Sequence, residues 1–161
     1  MTIGNSFCAK SVGGVESIEL LPAEALLDAT YDPVAKALRG LTLRDECEPL
    51  GVAFREGEAS LEESIDDHGN VAHRLSFLLD GVAPEGLHRL LSALRGGVVA
   101  LVATEGEHLL VGYSPELRAE APLRLHSLQR LSLQRYDQTP HIAVELRSSD
   151  SRLSLPLYGR Q

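Results

Sequence analysis

Residues 84–104 read PEGLHRLLSALRGGVVALVAT, and the pattern in this stretch indicates how the chain folds. Four leucines have the spacing i, i+3, i+4 and i+7, which places side chains on one face of an α-helix: Leu87, Leu90, Leu91 and Leu94. Pro84 suits the first helical turn, and Gly96-Gly97 is typical of a helix end. A helix over about 84–95 is too short to be stable alone in water. We therefore expect its leucine face to pack against a sheet.

Alternating apolar and polar residues on both sides of this helix predict antiparallel strands. Ala59–Ile65 and Val71–Leu79 alternate around a polar turn at Asp66–Asn70, a pattern that predicts a β-hairpin. The β-branched run Val98–Thr104 predicts a buried strand that returns into His108–Tyr113. Further strands are predicted at Val15–Leu21, at Leu123–Leu133 with a bulge near Leu128, at His141–Leu146, and at Arg152–Leu155 after a turn at Ser148–Asp150.

These elements predict an α+β fold that is mainly antiparallel β. The expected architecture is a sandwich or partly closed barrel with the amphipathic helix packed on it. No linker or repeat divides the sequence, so residues 1–161 are expected to form a single domain, with residues 1–14 as a polar N-terminal arm. Pro156 is expected to lie in an edge strand, because proline cannot donate a ladder hydrogen bond.

Composition excludes several classes of protein. The hydrophobic content of 43% and the charged content of 24% are typical of a globular domain. A net charge of −8 disfavours binding to nucleic acids and to anionic membranes, and an aromatic content of 4% without tryptophan disfavours a base-stacking or sugar-stacking surface. The longest apolar run, Val98–Ala103, is too short to span a membrane, and no leader pattern is seen at the N-terminus. We expect a cytoplasmic or virion-associated protein in which Cys8 and Cys47 are reduced, although they are able to pair only with each other.

One segment comes close to a phosphate-binding loop. Residues 4–11 read GNSFCAKS, with Ala9 where the second glycine of the motif belongs. The mechanism requires a strand before the loop and a helix after it. Only three residues precede Gly4, and Gly13-Gly14 interrupts any helix after Ser11. No nucleotide site is predicted.

The histidines, cysteines and clustered glutamates are the residues that could carry metal or catalytic chemistry. His68 and His73 flank the predicted hairpin turn, but no HxH, HxxxH or CxxC spacing is present. His73 is predicted to be a buried histidine satisfied by a backbone group, and His68, His88 and His108 are predicted to be solvated. No nucleophile elbow accompanies Cys8 or Cys47. The acidic cluster along the first hairpin strand is interpreted as a solvated surface, with a cation-attracting face as the alternative: Glu56, Glu58, Glu62 and Glu63. We therefore predict no catalytic, cofactor-binding or metal-binding residue, and no enzyme.

Several segments, in their order along the chain, resemble a family of small prophage-type structural proteins with a tail-tube-like fold. The matching segments are Cys8 with the following SVGGV at 11–15, ELLP at 19–22, HRLSF at 73–77, the leucine helix with VVALVAT at 98–104, and LLVGY at 109–113. The resemblance implies a β-sandwich or barrel with a flanking helix that assembles into rings or tubes and carries no catalytic residues. The sequence departs from the family pattern beyond Gly112, where 114–122 is rich in proline and glutamate.

The functional hypotheses follow from these patterns. The first is a self-assembling structural protein of phage or prophage type whose partner is another copy of itself. The alternative is a monomeric binding module that holds a small ligand or peptide in a barrel mouth or along a strand edge, which a deep apolar pocket on the inner face of 71–79 would favour. A third hypothesis is a hydrolase or metal enzyme built around His68, His73 and nearby carboxylates.

Overall fold

The computed structural model describes residues 9–12, 14–80, 84–131, 141–150 and 154–157, and its main feature is a pair of antiparallel sheets packed face to face. The first sheet contains, in spatial order, β1 (Ala9–Val12), β6 (Phe54–Ile65), β7 (Val71–Asp80), β11 (His141–Asp150) and β10 (Arg124–Leu131). The second contains, in spatial order, β12 (Leu155–Pro156), β9 (Glu107–Val111), β8 (Val98–Thr104), β2 (Ser17–Pro22) and β5 (Leu50–Gly51).

Three smaller elements complete the described structure. The helix α1 (Pro84–Leu94) connects β7 to β8, and a 3₁₀ turn at Ala23–Ala25 follows β2. The strands β3 (Leu26–Asp32) and β4 (Ala37–Leu43) form a separate two-stranded ribbon. In the described part of the chain the sheets form a sandwich and do not close into a barrel, so the expected α+β, mainly antiparallel fold is confirmed as its sandwich form.

The hairpin of β6 and β7 has the predicted turn, and its strands alternate as expected. The Oδ1 atom of Asp66 accepts hydrogen bonds from the backbone N–H groups of His68 and Asn70, both at 2.9 Å, so the turn is held by its own aspartate. Apolar residues then alternate into the core, with Leu61 paired to Leu75 in the ladder. The hairpin therefore determines which face of the first sheet meets the second.

The helix packs through three of the four leucines of its predicted face, whereas Leu91 is half-buried and is not among the residues of this core. Leu90 and Leu94 are buried in the core between the sheets, and Leu87 packs against the same core from a half-buried position. Each fully buried leucine contributes roughly 1.5–3 kcal/mol of transfer free energy. The helix itself carries too few residues to be stable without this contact.

The strand β8 is buried along its whole length because it lies in the middle layer. One of its faces, through Val98, Ala100 and Val102, belongs to the core shared with the first sheet. The other face, through Val99 and Leu101, packs with residues of the β3–β4 ribbon such as Leu38. Both faces of the strand therefore require apolar residues, which explains its continuous rather than alternating sequence.

The structure corrects two expectations and confirms a third. Part of the expected polar arm, Ala9–Val12, forms an edge strand that pairs with residues 61–64 of β6. The turn predicted at Ser148–Asp150 is wrong, because β11 continues through these residues and pairs with β7 over ten consecutive positions. The bulge predicted in β10 is confirmed as a register shift between Leu125 and Ser127.

Two further predictions are settled only in part. Pro156 lies in β12 at the edge of the second sheet, as expected. The start of the strand predicted at Arg152–Leu155 lies outside the described residues, and so does the end of the strand predicted at Leu123–Leu133.

Candidate functional surfaces

A buried acid–base pair lies between the two sheets, near one end of the core. Glu63 of β6 and His73 of β7 are direct ladder partners, and their side chains are only 3% and 2% exposed. The Oε1 atom of Glu63 is 3.5 Å from Nδ1 of His73. Their inward direction follows from the strand period, since Leu61 and Leu75 occupy the neighbouring inward positions of the same hairpin.

Two serines border this pair. Ser148 of β11 is the ladder partner of His73 on its other side. Ser154, just before β12, donates its backbone N–H to Oε1 of Glu63 at 3.2 Å. Within the described residues, three buried polar atoms lack a hydrogen-bond partner: Nδ1 of His73, Oγ of Ser148 and Oγ of Ser154.

The carboxylate of Glu63 is ionised more readily than its burial alone would allow. Burial raises the pKa of Glu63, but the imidazole of His73 and the contacts from Ser154 outweigh it and lower the pKa below the usual value. A buried carboxylate that accepts a backbone hydrogen bond ties β6 to the start of β12, which belongs to the other sheet. The arrangement therefore links the two sheets at this point of the sandwich.

Sequence reasoning placed His73 in the core but missed its partner. The group facing Nδ1 is the carboxylate of Glu63, and the backbone partner expected for this histidine is not found at that atom. A signal was present, because Glu63 interrupts the apolar face of its strand opposite the only polar inward residue of β7. Two inward polar residues at opposing positions of one hairpin predict a contact between them.

The other histidines lie apart from this pair. His68 and His88 are exposed as predicted, and His108 is half-buried. Within the described ranges, no three His, Cys, Asp or Glu side chains come together as a metal site would require. The described residues therefore provide no cluster of metal ligands that would support the third hypothesis, an enzyme centred on His68 and His73.

The loop that resembled a phosphate-binding motif is described only in part. Residues 4–8, including Cys8, lie outside the described residues, so the expected reduced state of Cys8 and of the half-buried Cys47 stays a prediction. The residues that would have to open a helix, at Ala9–Val12, form a β-strand instead. A strand directs backbone N–H groups sideways and supplies no helix N-terminus for a phosphate.

A hollow on the described surface forms an acidic cleft between the sheets. It has a volume of about 690 Å³ and lies where the start of β6 meets the start of β2 and the β8–β9 turn. Its rim carries the exposed carboxylates of Glu16, Glu56 and Glu105, which have no ion-pair partner among the described residues. The floor is apolar and consists of Val15, Val52, Phe54 and Ala59.

The inner face of 71–79 forms no pocket of the kind considered for a ligand. All five inward side chains of that strand are buried in the core: Val71, His73, Leu75, Phe77 and Leu79. The acidic cluster of the first hairpin strand also divides in two. Glu56, Glu58 and Glu62 are exposed, as a solvated surface requires, whereas Glu63 belongs to the buried pair.

The opposite edge of the first sheet is basic. Arg124, His126 and Arg130 of β10 are exposed, and the two arginines have no ion-pair partner among the described residues. Arg124 lies directly across the ladder from Arg147, a like-charge pair that is unfavourable without a counter-charge. Leu125, beside Arg124, is 39% exposed and adds an apolar side chain to this edge.

One carboxylate compensates part of this positive charge. Glu145 of β11 contacts Nε of Arg74 at 2.6 Å and Nε of Arg147 at 2.8 Å. Partial burial raises the pKa of Glu145, but the two guanidinium groups outweigh it and lower the pKa below the usual value. The Oε2 atom of Glu145 also lies 3.6 Å from Nε2 of His126. Because the contacts of Glu145 go to Arg74, Arg147 and His126, Arg124 and Arg130 keep their charge available for another partner.

Comparisons with protein-family models, with curated proteins and with solved structures found no match to this chain. The described residues include no helix of the length and apolar character that a membrane span requires.

Proposed function

We propose that this protein is a non-catalytic structural module that assembles with copies of itself, as the tail-tube-like proteins it resembles do. The observation that carries the proposal is the open strand edge at one side of the first sheet. Among the described residues, no strand pairs with the outer side of β10.

An open edge presents unpaired N–H and C=O groups that are able to bind a strand from another molecule. Soluble proteins limit indiscriminate pairing with charged side chains and bulges on such edges. The edge strand β10 has both features, in Arg124 and Arg130 and in the bulge next to Leu125. These features favour pairing with a partner of opposite charge over indiscriminate aggregation with other strands.

The fold and the resemblance support the same proposal. A sandwich with one flanking helix is the architecture that the resemblance implies, and here the helix runs directly into the buried strand β8. The described groups that resemble an acid–base pair, Glu63 and His73, are shielded from solvent and contribute to the core. Assembly of a phage or prophage type is the specific form that the resemblance adds to this proposal.

Sedimentation velocity over a wide range of protein concentration, combined with negative-stain microscopy, tests the proposal. We expect species larger than a monomer that grow with concentration, and rings or short tubes at the highest concentrations. A strictly monomeric sedimentation profile under all conditions, with an intact fold by circular dichroism, would overturn it.

The acidic cleft favours a second candidate, a monomeric binding module for a small ligand or peptide. Its volume of about 690 Å³ falls within the range of ligand pockets, and its apolar floor and acidic rim suit a cationic, partly apolar ligand. A stable monomer that binds short Arg/Lys-rich peptides, and that loses this binding when Glu56 and Glu105 are replaced by Gln, would favour this candidate.

A further inference from the structure

Two charged surfaces of the described residues are complementary to one another. The basic edge consists of β10 with Arg124, Leu125, His126 and Arg130. The acidic cleft carries carboxylates around an apolar floor, beside the start of β6. The basic edge has an exposed leucine, Leu125, among positively charged residues, and the acidic cleft has an apolar floor surrounded by carboxylates.

The fold places these surfaces on opposite sides of the sandwich. In the first sheet, β7 and β11 separate the paired part of β6, Ala59–Ile65, from β10, so these two strands are about 14 Å apart at roughly 4.8 Å per strand. The cleft opens near β6, on the side away from β10. One copy is therefore able to present its basic edge to one neighbour and its acidic cleft to another.

We propose that the basic edge of one copy docks in the acidic cleft of the next copy, in a head-to-tail contact. This inference rests on the proposed self-assembly and names the two surfaces that make the contact. Leu125 would face the apolar floor, and the arginines of the edge would pair with Glu56 and Glu105 on the rim. A contact between two different surfaces is heterologous, so repeating it produces a ring if the rotation closes and a filament if it does not.

The charges around the cleft support this assignment. Glu16, Glu56 and Glu105 have no partner among the described residues, and Arg55 on the same stretch of β6 already takes part in an interaction of its own. On the basic side, the nearby Glu145 contacts Arg74, Arg147 and, at 3.6 Å, Nε2 of His126, so the cations of this edge that have no ion-pair partner among the described residues are Arg124 and Arg130. Each surface therefore retains net charge of one sign, which steers and selects a complementary partner.

Two sets of charge reversals in the full chain test the contact. The edge variant is Arg124→Glu with Arg130→Glu, and the cleft variant is Glu56→Arg with Glu105→Arg. Each variant alone opposes like charges at the contact, and we expect the association constant to fall roughly tenfold or more. Mixed in equal amounts, the two variants oppose unlike charges again, and we expect assembly to recover as alternating copies.

Matched controls carry the same change of net charge at exposed positions elsewhere. Arg89→Glu with Arg95→Glu, on and after α1, matches the edge variant, and Glu48→Arg with Glu120→Arg matches the cleft variant. We expect both controls to assemble nearly as the unaltered chain does. If a reversal lowers the thermal unfolding midpoint, Arg124→Ala with Arg130→Ala gives a milder test of the same contact, with an expected drop in association of severalfold.

The outcomes separate this inference from the proposed function. An unaltered chain that stays monomeric overturns both. If the unaltered chain assembles and the edge and cleft variants assemble as well as their controls, self-assembly stands and the head-to-tail contact is overturned. If each variant alone loses assembly and the mixture does not recover it, the two surfaces do not meet each other, which also overturns the contact.

Discussion

Glu63 and His73 face one another across β6 and β7 inside the sandwich, with 3.5 Å between Oε1 and Nδ1. The same carboxylate oxygen accepts the backbone N–H of Ser154, which precedes a strand of the other sheet. The pair therefore lies at a junction between two strands of one sheet and the chain that leads into the other. Removing one partner leaves the remaining polar groups buried without compensation.

Replacing Glu63 by Gln should reduce the free energy of unfolding by about 1–3 kcal/mol. The amide keeps nearly the same shape and retains an acceptor for Ser154, but it loses the negative charge that faces His73. Urea unfolding followed by circular dichroism measures the effect. Glu62→Gln, at an exposed position of the same strand, serves as the control and should change stability by less than about 0.5 kcal/mol.

Removing one member of the Glu63–His73 pair should lower the free energy of unfolding more than replacing both members by apolar residues. Changing Glu63 and His73 together to Leu removes every charge from the site, and we expect the double variant to be more stable than Glu63→Gln. Equal losses for Glu63→Gln and Glu62→Gln would contradict the role of the buried carboxylate.

Stability should fall in acid. Burial raises the pKa of both Glu63 and Glu145, but the contacts of His73 and Ser154 with the first, and of Arg74 and Arg147 with the second, leave each pKa below its usual value of 4.5. A pKa that is lower in the folded state than in the unfolded state contributes stability that is present above about pH 4.5. That contribution is lost as the pH falls through the folded pKa.

The urea midpoint, measured at intervals from about pH 7 to about pH 3, should therefore decrease on the acid side of the usual glutamate value. Glu145→Gln should flatten this decrease, whereas Glu120→Gln should leave it unchanged. A midpoint that stays constant over the whole range would show that neither carboxylate is stabilised by folding.

Replacing a leucine of α1 by alanine should lower the free energy of unfolding by an amount that depends on how deeply that leucine is buried. Leu90→Ala and Leu94→Ala remove side chains that are fully packed in the core, and each should cost about 2–5 kcal/mol. Leu87 is half-buried, and its replacement by Ala should cost roughly half as much. Chemical denaturation of the three variants checks this order. Similar losses at all three positions would mean that the helix is docked on a different face.

Gly112 should tolerate alanine much less well than Gly106 does. Both have positive φ, at +93° and +75°, which is unfavourable for a residue with a side chain. At Gly112 a Cβ would also lie 3.2 Å from the backbone N of Leu123 and from the backbone O of Val98. We expect losses of about 1–2 kcal/mol for Gly106→Ala and about 3 kcal/mol or more for Gly112→Ala. Thermal unfolding compares them, and equal midpoints would contradict the close approach.

Local pattern was sufficient for much of the fold. The leucine spacing predicted α1, the aspartate-rich turn predicted the β6–β7 hairpin, and the phase change near Leu128 predicted the bulge in β10. Each of these signals lies within a single element, where side-chain period and turn chemistry act between neighbours in sequence. The predicted turn at Ser148–Asp150 is wrong although serine and aspartate favour turns, because β7 offers a continuous ladder partner that outweighs their preference.

The candidate surfaces depended on contacts that no local pattern records. Arg124 and Arg147 are 23 positions apart by residue number, and the three carboxylates of the cleft come from three separate segments. Pairing of β10 with β11 brings the arginines together, and packing of the two sheets brings the carboxylates together. The acidic cleft had one signal in the sequence, because Glu56 belongs to the acidic cluster for which a cation-attracting face was the alternative, and the basic edge had none.

The sequence by itself determined the helix α1, the β6–β7 hairpin, the buried strand β8 and the inward position of His73, because hydrophobic period fixes which side chains leave water. Only the tertiary structure decided that Glu63 would face His73, that β8 would be buried on both faces, and that opposite charges would collect on opposite edges. These features depend on strand order and on sheet packing, which bring together residues that are distant along the chain.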